Sequence, residues 1–166
     1  MTSDQILPLI MRWAHIFAAI IALGGVIFLR FVLLPSAKET LDEETHAKLR
    51  TAITKRWMMF VHTCILLFLI SGFYNYLAIT RFIHDDQPLY HALFGVKFLL
   101  AIVVFALAIA LTSLKPWSAK LRANARLWLS VLIALAVIIV LMSGVMRALP
   151  TVASTAGSAE DAIASE

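Results

Sequence analysis

Polarity is what this sequence has least of. Charged residues fill only 14% of its 166 positions, and ten acids stand against fourteen lysines and arginines. Soluble domains are about one quarter charged. A water-soluble fold of this size has no means of covering a chain that is 61% hydrophobic, whereas lipid is a solvent for it. The single cysteine, Cys64, excludes a disulfide framework, a CxxC pair and the CxxCH of covalent haem attachment. There is no glycine-rich phosphate loop, no HExxH and no Ser-His-Asp arrangement, so hydrolytic and nucleotide chemistry have no support. The cations sit beside apolar runs, which points to membrane orientation and away from nucleic acid.

What is present is four long apolar runs, at Leu7–Leu34, Trp57–Ile79, Leu89–Leu114 and Leu127–Leu149. Each exceeds the roughly 20 residues that a helix needs to cross a hydrocarbon core about 30 Å thick. The expected fold is all-α, an integral membrane four-helix bundle forming one domain over residues 1–149, with the lipid bilayer as its first partner. The first run lacks a basic leader and a small-residue cleavage site, so it reads as a span and not as a signal peptide. Residues 150–166 are mostly small and polar and read as a disordered tail.

Pro35 should stop the first helix, and Ser36 with Glu39 forms a capping box for the next. Leu41, Thr45, Leu49 and Ile53 then recur every four residues among charges, the pattern of a short amphipathic cytoplasmic helix between the first two spans. The connection Thr80–Pro88 carries Asp85 and Asp86, and Lys115–Arg126 is basic. Ten of the fourteen cations fall on one side: Arg30, Lys38, Lys48, Arg50, Lys55, Arg56, Lys115, Lys120, Arg122 and Arg126. The positive-inside rule puts that side in the cytoplasm and both termini outside the cell (inner) membrane.

Ionisable groups at membrane depth are expensive, so each one is a candidate. His15 lies about two turns into the first run and His91 opens the third, both in the outer half, while His62 falls near the inner face. His46 and His84 belong to polar connections. Neutral imidazole is the usual histidine ligand of haem iron and transition metals, and two histidines on different helices can grip one haem b. Gly95 lies one turn from His91, and Ala18, Ala19 and Ala22 lie on the face of His15, leaving room for a flat macrocycle. Lys97 and Arg30 are cations that a haem propionate or substrate carboxylate would partner, with snorkelling to headgroups as the simpler account. Asn75 can hydrogen-bond a cofactor. Met142 and Met146, one turn apart, are soft ligands that would bind copper(I) with nearby histidines. More often, two methionines in such a helix are simply packing. Trp13, Trp57, Trp117, Trp128, Tyr74 and Tyr76 read as interfacial anchors.

The run RWAHIFAAIIALGGVIFLRFVLLP, Arg12 to Pro35, resembles the first-helix signature of the copper-resistance D proteins and the related bacterial membrane protoporphyrinogen oxidases. RWMMFVHTCILLFLISGFYNYL, Arg56 to Leu77, is similar to their second helix and YHALFGVKFLLAI, Tyr90 to Ile102, to their third. The resemblance implies a four-helix haem-type bundle in which His15, His91 and Lys97 are the matching positions. Three functions remain open on the sequence: a b-type haem protein in electron transfer or oxidation of a lipophilic substrate, with a redox partner; copper handling through His15, His91, His62, Met142 and Met146; and a cofactor-free subunit packed in a larger membrane assembly.

Overall fold

The structure, a computed structural model, describes residues 3–80 and 88–148. The connection carrying Asp85 and Asp86, with His84, and the tail from Pro150 lie outside the described residues. Among the described residues every regular element is helical. The elements are α1 (Ser3–Phe28), α2 (Leu34–Thr40), α3 (Glu43–Asn75), α4 (Pro88–Thr112), α5 (Ala119–Ala123) and α6 (Ala125–Ala148). Four stretches are long and apolar enough to cross a membrane: Ile6–Thr40, Glu43–Ala78, Pro88–Thr112 and Ala125–Ala148. They coincide with the four runs read from the sequence, because uninterrupted apolar residues leave the backbone no partner but itself.

The first connection differs from expectation. Pro35 does not stop the helix. A π-helical turn at Leu29–Leu33 joins α1 to α2, and Leu34 N–H bonds Leu29 O, five residues back. Widening the turn makes room for the proline ring, which has no N–H to give and would collide with a carbonyl of the previous turn. Proline then occupies the first turn of α2, where a missing N–H costs least. The break comes at Leu41, which is extended (φ −113°, ψ 145°). The cap of the next helix is Asp42 and not Ser36: its carboxylate accepts the Thr45 N–H at 2.9 Å. That backbone hydrogen bond holds the Asp42 carboxyl below the usual carboxylate range.

The amphipathic stripe is not a separate helix either. Leu41 is the break itself, and Thr45, Leu49 and Ile53 belong to α3, which runs unbroken from Glu43 to Asn75. Nothing in the sequence from Glu43 to Asn75 interrupts helical hydrogen bonding, since it contains no proline.

The four long helices form a ring. α1 packs most extensively on α3, α4 on α6, α3 on α4, and α6 returns to α1, while the diagonal pairs scarcely touch. Outside the ring, Phe17, Leu66, Leu99 and Leu141 are more than half exposed, an apolar surface suited to lipid. Inside, the continuous core is small: Val26, Leu129 and Leu132, with Trp57, Val104 and Leu111 against them. Close approach is set by Gly25, where a Cβ would collide with the Trp57 ring. Trp57 is thus an interior packing residue and not an interfacial anchor. It is stacked on Phe60 (centroids 5.9 Å) and half-buried against α1.

Candidate functional site

Two clusters of polar side chains sit among apolar ones, at opposite ends of the ring. At the histidine end, His15 of α1 reaches across to α3. Its Nδ1 lies 2.8 Å from Ser71 Oγ, and Ser71 donates its own proton to Leu67 O at 2.5 Å. A serine hydroxyl has one proton. With that proton turned to Leu67, Nδ1–H of His15 is the group that donates to Ser71, and in the neutral ring this leaves Nε2 as an unprotonated acceptor or metal ligand. Ser71 is only 1% exposed, so water does not compete for this bond. The Asn75 side chain donates to Ser71 O at 2.9 Å, tying the same turn of α3.

The walls are aromatic and small. Phe68 meets the His15 ring edge-on (centroids 5.0 Å) and stacks on Phe105 of α4 (5.8 Å). Gly72 sits beside the ring, where a Cβ would lie 3.8 Å from His15 Cε1, in ordinary contact. Lys97 of α4 is within electrostatic reach of the imidazole. Among the described residues its ammonium has neither a carboxylate nor a hydrogen-bond acceptor.

His91 of α4 is anchored just past the end of α3, on the π-helical turn Tyr76–Thr80. Its Nδ1 lies 3.0 Å from the Tyr76 hydroxyl, and Tyr76 stacks flat on Phe94 (centroids 3.7 Å, planes 9° apart). Both histidines thus meet a hydroxyl through Nδ1, Ser71 near the end of α3 and Tyr76 on the π-helical turn that follows it. One turn from His91, a Cβ on Gly95 would meet no atom within 4 Å, so the space there is open.

The other sequence candidates do not join this cluster. His62 is exposed on the outer face of α3, its Nδ1 2.7 Å from Met58 O of its own helix. Arg30 bonds Arg126 O and Ser130 Oγ through Nε, each at 2.9 Å. It lies in the π turn after α1, fifteen residues beyond His15, about 22 Å along a helix. Met146 is buried and Met142 half-buried on α6. Among the described residues no three His, Cys, Asp or Glu side chains converge, so any metal at the histidine end would rest on imidazoles and softer donors.

Sequence reasoning missed Ser71 and the role of the Tyr76 hydroxyl. Ser71 was visible as a hydroxyl deep in an apolar run, the same signal that singled out His15. Tyr76 was read by its ring and not by its oxygen.

Comparison with protein-family models, curated proteins and solved structures finds no match for the chain. Fold and site together define a class: a small helical bundle with four helices long and apolar enough to span a membrane, carrying an oriented histidine in its interior.

Proposed function

We propose that the chain is a b-type haem-binding protein of the cell membrane, acting in electron transfer or in oxidation of a lipophilic substrate. The observation that carries this reading is the His15–Ser71 bond, which fixes the tautomer and leaves Nε2 available. Metal-ligating histidines almost always have the other ring nitrogen held in this way. His15 and His91 would hold the haem through imidazole nitrogens, the open space at Gly95 would leave room beside His91, and Lys97 would offer a cation to an acidic edge. Bound haem would supply one-electron chemistry. The chain's own contribution is to orient the ligating nitrogens, exclude water with Phe68 and Phe105, and present a cation to an anionic edge. In this reading the basic end is cytoplasmic and the histidine end lies in the outer half of the membrane, as the charge asymmetry favours.

The test is an absorption spectrum with metal analysis of the protein purified from membranes, beside His15→Ala, His91→Ala and His62→Ala. A Soret band lost in the first two variants and kept in the third is expected. An unchanged band in His15→Ala removes the site. Copper without a Soret band would favour a copper-handling protein, and neither signal would favour a packing subunit.

A further inference from the structure

The opposite, basic end of the ring holds a second arrangement that owes nothing to haem. Two cavities adjoin there. One, of about 90 Å³, is enclosed chiefly by Val26, Leu29, Leu33, Trp57, Leu129 and Leu132. The other, of about 440 Å³, is more polar and more open, and is lined in part by Glu43, His46, Thr51 and Leu114. Arg50, Thr54 and Arg122 line both. Two guanidinium groups therefore stand at the junction of a polar chamber and an apolar one.

Those guanidiniums are positioned by backbone and not by acids. Arg50 Nη2 donates to Arg122 O, and Arg122 Nη1 donates to Ser113 O and, at 2.7 Å, to Ser118 Oγ. Each guanidinium has five N–H donors, so these bonds leave others free. No Asp or Glu occurs between Asp86 and Glu160, so α4, α5 and α6 bring four cations to the connection Lys115–Arg126 and no anion. Of the acids beside it, Glu44 is taken by Lys48 at 2.5 Å and Asp42 caps α3. Glu43 alone lines the chamber, and it makes no ion pair with either arginine among the described residues.

We infer that the paired cavities at the basic end are a binding site for one anionic phospholipid of the bilayer, its phosphate against Arg50 and Arg122 and the start of an acyl chain in the apolar cavity. The charge is complementary, since two fixed guanidiniums outweigh one carboxylate and suit phosphate geometry. The polarity is complementary too, because the junction lies where apolar helix ends give way to charged residues. Basic residues facing the cytoplasmic leaflet attract anionic lipids in general. Here the attraction is tied to a cavity, which makes it selective for one bound molecule.

Glu43 makes the inference testable in the direction of gain. The protein is placed in nanodiscs of equal phosphatidylglycerol and phosphatidylcholine with matched chains, and retained lipid is identified by native mass spectrometry. Wild type should hold one phosphatidylglycerol, enriched on the order of fivefold over phosphatidylcholine. Glu43→Gln, an exposed change that leaves the fold alone, should raise that enrichment. Thr54→Phe, which fills the junction and keeps every cation, should return it to the bulk ratio, as should Arg50→Gln. Equal retention of the two lipids by wild type overturns the inference, and so does full enrichment in Thr54→Phe. Displacement of the lipid by inorganic phosphate as readily as by soluble short-chain phosphatidylglycerol would also overturn it, since the acyl chain would then contribute nothing. None of these readouts depends on haem.

Discussion

Ser71 is the residue on which the chemistry of the histidine end turns, because it decides what His15 can offer. Replacing it with alanine removes the acceptor of the Nδ1–H and leaves a buried donor unpaired. The imidazole is then free to rotate or to change tautomer. Ser71→Ala should therefore weaken haem retention by roughly 10–100-fold, the usual effect of losing a partner behind a ligand. Haem titration followed at the Soret band measures it. Ser71→Thr keeps the hydroxyl and should recover most of the affinity. If Ser71→Ala binds as wild type does, the hydroxyl is only a packing partner. The cation beside it follows the same logic. In the proposed membrane setting a lone ammonium at depth costs on the order of 2.5–3.5 kcal/mol on insertion scales, so Lys97 calls for an anionic partner or a path to the headgroups.

Among the elements, the contact of α1 with α3 is the tightest constraint, and it passes through one missing side chain. Gly25 lets the Trp57 ring lie directly against the α1 backbone. Gly25→Ala improves helix propensity but forces a rigid ring to move, and overpacking of this kind costs about 1–3 kcal/mol. The expected outcome is a lower unfolding midpoint in detergent for Gly25→Ala, and no loss for Gly24→Ala, whose Cβ would meet nothing within 4 Å. Equal midpoints for the two variants would show that α1 can shift without cost. The sequence made the four long helices legible, since continuous apolar runs admit one backbone solution. It did not show that the helical path continues past Pro35, because the compensating π turn at Leu29–Leu33 is a matter of backbone hydrogen bonding and not of residue type. Nor did it show that Lys97 comes within electrostatic reach of His15, which depends on how α4 packs in the ring. His15 and His91 were legible as candidates from cost alone; their hydroxyl partners required the packing of α3.

At the scale of the whole molecule, the two ends differ in kind. One gathers arginines on backbone carbonyls around a cavity, and the other gathers histidines on hydroxyls among aromatic rings. The asymmetry makes orientation testable. Single cysteines introduced at Lys48 and Lys120, with Cys64 replaced by alanine, should be reached by a membrane-impermeant thiol reagent only after cells are opened. A cysteine at Thr2 should be labelled in intact cells. Labelling of the first two positions from outside would invert the reading, and the histidine end would then face the cytoplasm.

The unbroken length of α3 joins these ends mechanically. Ser71, which holds His15, and Arg50, which stands at the cavity junction, are twenty-one residues apart on one helix, about 32 Å. Between them lies no proline, no glycine and no π turn, the features at which helices bend sharply. The first stretch yields at Leu29–Leu33, and the second yields only beyond Asn75. α3 is therefore one continuous rod, with the serine that holds His15 near one end and a guanidinium of the cavity junction near the other, and the spacing of the two is set by helix geometry alone.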